Sequence, residues 1–218
     1  MGKSCVLSAY LCRPVNLVSH HQRLTQEPFF RERFLFVRQL FYQEGAFMKL
    51  YIVGPVGSGK TTLARQLSKE TGIPRFHLDR VAHQPDPASK IGNRKRPEAE
   101  RDALFRSILS REDYILEDTG RLCFAQGLAA ADHILLLEPS TRVRLGRILR
   151  RWFRQNFGLE PCSYRPTWAM LGNMLVWTHA YNMGEDGVRA RAQQYPEKLT
   201  VVRSKKDLEQ FMRNIQHG

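Results

Sequence analysis

Long apolar runs are missing from this sequence of 218 residues. A helix that crosses a membrane needs about 20 consecutive apolar residues. The stretch 6–12 is apolar but short, and Arg13 and Pro14 follow it without the small residues of a cleavage site. The sequence therefore predicts neither a membrane partner nor a secretory signal.

Cysteine is also scarce, with four residues at positions 5, 12, 123 and 162. The sequence has no CxxC pair, and the cysteines show no zinc-like spacing with the seven histidines. This pattern excludes the usual disulfide frameworks and zinc sites, and it is typical of reduced thiols. The predicted compartment is the cytoplasm.

Acidic residues are in short supply, since 34 Lys and Arg face 21 Asp and Glu. The net charge of +13 and the pI near 10.0 indicate anionic partners, and nucleic acid, an anionic membrane surface and phosphorylated small molecules all fit this charge. Residues 140–154 hold six arginines and no acid. Guanidinium groups bind phosphate bidentately, although a run of charge is also typical of a solvated helix face.

The composition of the chain changes at Met48. Residues 1–47 mix Cys, His, Pro and isolated aromatics, and only residues 29–42 show helical periodicity. We interpret residues 1–47 as an N-terminal extension, disordered or a mis-assigned start with synthesis beginning at Met48. The alternative is a true extension whose helix, 29–42, docks on the domain. Residues 48–218 are predicted to form one domain, with a lid at about 153–195.

Short apolar segments alternate with helical patterns along residues 48–218. The predicted strands are 49–53, 76–78, 114–116, 133–137 and 199–202, and the region 84–97, with three prolines, is predicted to be a loop. In the helix 98–110 we expect Ala103, Leu104 and Ile108 in the core. Apolar strands separated by helices predict a parallel sheet that is covered on both faces.

A phosphate-binding motif follows the first predicted strand. Residues 54–61, GPVGSGKT, match G-x-x-x-x-G-K-[ST] at every fixed position. Glycines let the backbone N–H groups surround phosphates, Lys60 supplies a charge, and Thr61 offers a hydroxyl to Mg²⁺. The predicted ligands are ATP and Mg²⁺. The predicted nucleotide-binding residues are Gly54, Pro55, Val56, Gly57, Ser58, Gly59, Lys60, Thr61 and Thr62.

Carboxylates stand at the ends of the second and third predicted strands. Ligands of open parallel sheets bind beyond the carboxyl ends of the strands, so these side chains face the phosphates. Asp79 is predicted to handle the acceptor hydroxyl or a metal-bound water, and the alternative is a turn or helix cap. Glu117 and Asp118 are predicted to hold the water shell of the metal, unless one of them caps the next turn.

From Met48 onward the chain resembles the small P-loop proteins labelled DNA topology modulation proteins, relatives of adenylate and shikimate kinases. KLYIVGPVGSGKTTLAR at 49–65, YILE at 114–117, RILRRW at 147–152 and YRPT at 164–167 carry the resemblance. It implies an α/β P-loop NTPase fold of the nucleotide-kinase type. The expected sheet has five parallel strands in the order 2-3-1-4-5, with helices on both faces and a helical lid.

The same resemblance implies roles for two arginines. Adenylate kinases carry an R-I-x-x-R pattern before the lid, and Arg147 and Arg151 match it. By this likeness Arg147 stacks on the nucleotide base and Arg151 meets phosphate.

Together these features predict a Mg²⁺-dependent phosphotransferase that acts on a nucleotide or another small acceptor. Its predicted catalytic residues are Lys60, Asp79, Arg147 and Arg151. One alternative is a nucleic-acid-associated ATP-binding protein that affects DNA topology, with weak nucleic-acid binding. The other alternative is a module that binds nucleotide without turnover.

Overall fold

The computed structural model describes residues 48–89, 92–160, 162 and 164–214. The predictions for residues 1–47, including the helix 29–42, lie outside the described residues. The same holds for Cys5 and Cys12, whereas Cys123 and Cys162 are free thiols.

Five strands form one parallel sheet and two form a separate antiparallel hairpin. The strands are β1 (Lys49–Val53), β2 (Arg75–His77), β3 (His83–Pro85), β4 (Asn93–Lys95), β5 (Tyr114–Asp118), β6 (His133–Leu137) and β7 (Leu199–Val202). The order in the large sheet is β2-β5-β1-β6-β7. Counted along this sheet alone, that is the predicted order 2-3-1-4-5. The strand numbers differ from the prediction because β3 and β4 lie between its second and third strands.

Helices lie between successive strands of the large sheet. They are α1 (Lys60–Thr71), α2 (Leu78–Ala82), α3 (Glu98–Leu109), α4 (Gln126–Ala130), α5 (Thr141–Asn156), α6 (Trp168–Met183), α7 (Val188–Ala192) and α8 (Lys205–Asn214). Among the described residues, none of these helices combines the length and the apolar character needed to span a bilayer.

The helices cover both faces of the sheet. On one face Leu50 and Ile52 pack with residues of α1 and α8. On the other face Tyr51 and Val53 pack with residues of α2, α3, α4 and α7. Because successive strand residues point to opposite faces, a strand covered on both sides is apolar throughout, as the sequence predicted.

The prediction of a loop at 84–97 is wrong in part, because β3 and β4 pair antiparallel and include residues of this range. Arg96 fixes the hairpin to α2: its backbone N–H donates to Ala82 O at 2.9 Å and its Nε donates to Val81 O at 3.1 Å. Its Nη1 also donates to Gln84 Oε1 at 3.2 Å. Pro85 stands at the end of β3, where the strand no longer needs its N–H, so its presence concealed the strand.

The helix predicted at 98–110 is confirmed as α3, but its predicted core face is wrong in part. Phe105 and Ile108 are buried, whereas Ala103 and Leu104 are exposed, Leu104 by 42%. Phe105 lies with its ring centroid 4.8 Å from that of Phe124. The aromatic side chain has more apolar surface to bury, so it takes the core position that the pattern assigned to its neighbours.

We predict that Gly127→Ala destabilises the protein. A Cβ at Gly127 would lie 2.6 Å from Tyr51 Cε2 and 3.0 Å from Phe105 Cζ. Overpacking of this kind costs about 1–3 kcal/mol of unfolding free energy, measured by urea denaturation.

The matched control is Gly146→Ala in α5, where a Cβ would meet no atom within 4 Å. Alanine there should stabilise the helix by about 0.5–1 kcal/mol. Equal stability of the two variants would contradict the packing around Gly127.

Candidate functional site

The loop between β1 and α1 is wedged between β6 and α5. Gly54 has a φ of 150°, and a Cβ there would lie 2.5 Å from Leu137 O. Gly57 has a φ of 75°, and a Cβ there would lie 2.8 Å from Arg144 O. Both positions therefore require glycine for backbone conformation and for space.

Lys60 begins α1 and is buried within this loop. Its Nζ donates to Gly54 O at 2.7 Å, Pro55 O at 2.8 Å and Ser58 Oγ at 3.4 Å. Burial lowers the pKa of Lys60 to about 8, against the opposing effect of nearby Asp79, Asp118 and Glu117. The ammonium is therefore charged at neutral pH and lies at the positive N-terminal end of a helix, which favours anions.

Arg147 and Arg151, predicted from the sequence, lie beside the loop. Arg147 Nη1 donates to Ser58 O at 2.9 Å and to Gly57 O at 3.4 Å. Arg151 donates to Tyr164 Oη at 3.4 Å, and its charge opposes protonation of Lys60. α5 thus brings two guanidinium groups to the phosphate-binding motif, while their individual roles stay predictions.

Arg144 is buried, although it belongs to the arginine-rich stretch 140–154. It is 3% exposed and donates to Thr141 Oγ1 at 2.9 Å and to Asn182 Oδ1. Its guanidinium lies 5.3 Å from the ring centroid of Tyr181. The reason is that α6 covers this side of α5. Leu149, an apolar residue of the same helix, is 43% exposed.

Glu117 and Asp118 are both buried, but their surroundings differ. Asp118 accepts hydrogen bonds from the backbone N–H groups of Gly120 (2.8 Å) and Arg121 (2.7 Å). It also accepts from Tyr51 Oη at 3.2 Å and from Arg121 Nη1 at 3.2 Å. Asp118 therefore matches the alternative prediction that one of this pair caps the turn after the strand.

Glu117 is 1% exposed, and neither carboxylate oxygen has a hydrogen-bond partner. Arg75 Nη1 and His77 Nδ1 each lie 3.7 Å from Oε1, beyond hydrogen-bond distance. A buried carboxylate without hydrogen bonds is unfavourable unless another group satisfies it. Mg²⁺ prefers such oxygens, so Glu117 fits the metal that the motif implies.

Thr61 follows Lys60 at the start of α1 and is half-buried. Within the described ranges no group of three or more His, Cys, Asp or Glu residues could hold a metal by itself. A metal at Thr61 and Glu117 would therefore complete its ligands with water and phosphate oxygens, as Mg²⁺ commonly does.

Asp79 lies in the first turn of α2, forms an ion pair with Arg121 Nη1 and has one carboxylate oxygen 3.6 Å from His77 Nε2. Burial alone would raise the pKa of Asp79, but Arg121 and His77 outweigh it and hold the pKa below its usual value. Asp79 is therefore ionised at neutral pH.

Sequence reasoning missed His77 and the function of Arg121 as a bridge. His77 ends β2 and contacts both Asp79 and Glu117. Arg121 contacts Asp79 and Asp118, so it joins the ends of β2 and β5. Their places in the sequence, directly at or after the ends of β2 and β5, could have indicated them, since both residues lie at the same edge of the sheet as the motif.

Solved structures of small-molecule kinases resemble the chain at low identity. A shikimate kinase from Acinetobacter baumannii, in complex with shikimate, is 16% identical over 78% of this chain and 91% of that chain, with a TM-score of 0.48. A gluconokinase from Sinorhizobium meliloti 1021 is 16% identical (78% and 89% covered, TM-score 0.42). A deoxyadenosine kinase from M. mycoides with bound dATP is 17% identical (77% and 99% covered, TM-score 0.40).

No protein-family model matches the chain, and no curated protein sequence does. The fold follows from the parallel strand order and from the glycine loop between β1 and α1. It is a P-loop nucleotide-kinase fold. The relation to the DNA topology modulation proteins stays a prediction.

We predict that Lys60→Ala weakens the binding of Mg·ATP at least tenfold in calorimetric titration, because the variant lacks the ammonium at the loop. Above about pH 8 the affinity of the unaltered protein should fall, since neutral Lys60 no longer attracts phosphate. This part of the pH dependence should be absent from Lys60→Ala.

Lys69→Ala is the control, because Lys69 is exposed in the last turn of the same helix. It should bind Mg·ATP like the unaltered protein. Unchanged affinity in a folded Lys60→Ala variant would refute the assignment of Lys60.

Proposed function

We propose that the protein is a Mg²⁺-dependent phosphotransferase that transfers the γ-phosphoryl group of ATP to a nucleotide or another small hydroxyl-bearing acceptor. The observation that carries this proposal is that the loop with Lys60 and the carboxylates Asp79 and Glu117 lie at the same edge of the sheet. Lys60 supplies positive charge at the loop, and Asp79 and Glu117 act electrostatically on it. A nucleotide-binding switch needs the positive charge at the loop and a carboxylate for the metal, whereas transfer to a hydroxyl also uses a carboxylate such as Asp79 beside the acceptor.

The nucleotide contacts in this proposal begin with the loop. The backbone N–H groups of residues 54–60 and the Lys60 ammonium bind the phosphates, and Arg147 and Arg151 add positive charge from α5. A bound Mg²⁺ would supply further positive charge for the phosphates. Thr61 and Glu117 would hold it. We do not assign Asp118 to the metal site, because its carboxylate already accepts four hydrogen bonds.

Asp79 is the proposed partner of the acceptor hydroxyl. An ionised carboxylate can accept the hydroxyl hydrogen bond and orient the oxygen for attack. As the oxygen–phosphorus bond forms, the bond from phosphorus to the ADP oxygen breaks and the hydroxyl proton passes to Asp79. A low pKa suits this task, because phosphoryl transfer depends mainly on positioning and charge stabilisation rather than on a strong base.

A nucleic-acid-associated ATP-binding protein is the second candidate. The observation that favours it is the net charge of +13 together with exposed arginines on α5, among them Arg142 and Arg150. We rank it second because Arg147 donates hydrogen bonds to the phosphate-binding loop, where it is close to a bound nucleotide in this proposal. A module that binds nucleotide without turnover is the third candidate.

A screen of ATP consumption separates these candidates. We expect one class among nucleosides, nucleoside monophosphates and small hydroxy acids to raise ADP release at least tenfold above the acceptor-free rate. Lys60→Ala should abolish this increase, and Lys69→Ala should keep it. No increase with any class, despite ATP binding, would contradict a transferase within these acceptor classes.

We also predict that Arg147→Ala and Arg151→Ala weaken Mg·ATP binding while leaving retention of duplex DNA at low salt unchanged. Arg142→Ala is the matched control, since Arg142 is an exposed arginine on the same helix. It should leave ATP affinity intact. If Arg147→Ala or Arg151→Ala abolished DNA retention with ATP affinity preserved, the nucleic-acid candidate would take first place.

A further inference from the structure

α7 packs on the turn that carries Arg121. Arg191 Nη2 donates to Gly120 O at 2.5 Å and to Asp186 O at 2.9 Å. Val188 lies against the same turn, since a Cβ on Gly120 would come within 2.5 Å of Val188 Cγ2. Gly120 has a φ of 90°, so this position needs glycine for both conformation and space.

The turn is held from two sides. Asp118 Oδ2 accepts the N–H groups of Gly120 and Arg121 at 2.8 and 2.7 Å. Arg191 Nη2 donates to the Gly120 carbonyl, which belongs to the peptide group between Gly120 and Arg121. Because that peptide links Gly120 to Arg121, its orientation sets the direction in which the Arg121 side chain leaves the backbone.

The direction of Arg121 matters because its guanidinium bridges Asp79 and Asp118. We propose that Arg191 is a positioning residue that fixes the turn 118–121 in the shape in which Arg121 pairs with Asp79. α7 is thereby coupled to the carboxylate that handles the acceptor. The role of Asp79 toward the acceptor rests on the proposed function, whereas the coupling of α7 to Asp79 does not.

Arg189 provides a matched comparison on the same short helix. Its Nε donates to Glu138 Oε1 at 2.8 Å, at the end of β6 and away from the Gly120 turn. Replacement of Arg189 removes the same charge from α7, together with its ion pair to Glu138. It leaves the hydrogen bond to Gly120 O in place.

The carboxyl of Asp79 reports the position of Arg121. The charged and titratable groups that face it are Arg121 from the turn after β5, His77 from β2 and Lys60 from α1. The test is a pH titration of the full chain, labelled with ¹³C at aspartate carboxyls and followed by NMR. Asp79→Asn assigns the resonance. The experiment needs neither ATP nor an acceptor, so its result is independent of the screen for transferase activity.

We expect the Asp79 resonance of Arg191→Met to titrate at higher pH than in the unaltered chain, because Arg121 no longer holds the carboxylate. The shift should have the same direction as in Arg121→Met and be no larger. Adding Arg191→Met to Arg121→Met should produce no further shift, and Arg189→Met should leave the titration unchanged.

Two results would overturn the proposal. One is an unshifted Asp79 titration in Arg191→Met, and the other is an equal shift from Arg191→Met whether or not Arg121 is present. A purely structural Arg191 would lower the melting temperature without producing the non-additivity with Arg121. If Arg191→Met does not fold, Arg191→Lys, which keeps the charge but loses the guanidinium fork, is judged by the same two results.

Discussion

The close approach of a glycine loop to β6 and α5 is the constraint on which the site depends. Gly54 meets the carbonyl of Leu137 and Gly57 meets that of Arg144, with no room for a side chain at either place. This packing sets the position of α1, whose first residue is Lys60, relative to α5, which carries Arg147. The charges of Lys60 and Arg147 therefore lie close together because the backbones of the loop and α5 pack tightly.

The carboxylate side of the site is organised by a different principle. Asp118 is satisfied by four hydrogen bonds and shapes a turn, whereas Glu117 next to it is buried with none. Asp79 stays ionised because Arg121 and His77 compensate its burial. Unsatisfied Glu117 is unfavourable for stability, and such groups persist where a ligand supplies the missing partner.

The sequence predicted the parts of the fold that local pattern controls. The apolar strands, the motif and α3 follow from periodicity and glycine spacing, and the strand order came from the resemblance. The pattern could not predict the burial of Arg144, because that depends on α6 lying across α5. It also could not separate Glu117 from Asp118 or bring His77 to Glu117, since both depend on how β2 and β5 align. The hairpin was missed because prolines hide short strands.

A crystal structure with Mg²⁺ and a non-hydrolysable ATP analogue tests the central claim most directly. We expect Lys60 Nζ to contact the β- and γ-phosphate oxygens in place of the carbonyls of Gly54 and Pro55. We also expect a Glu117 oxygen to meet the metal or one of its waters. A nucleotide bound elsewhere, with Lys60 still on the two carbonyls and Glu117 still without a partner, would contradict this claim.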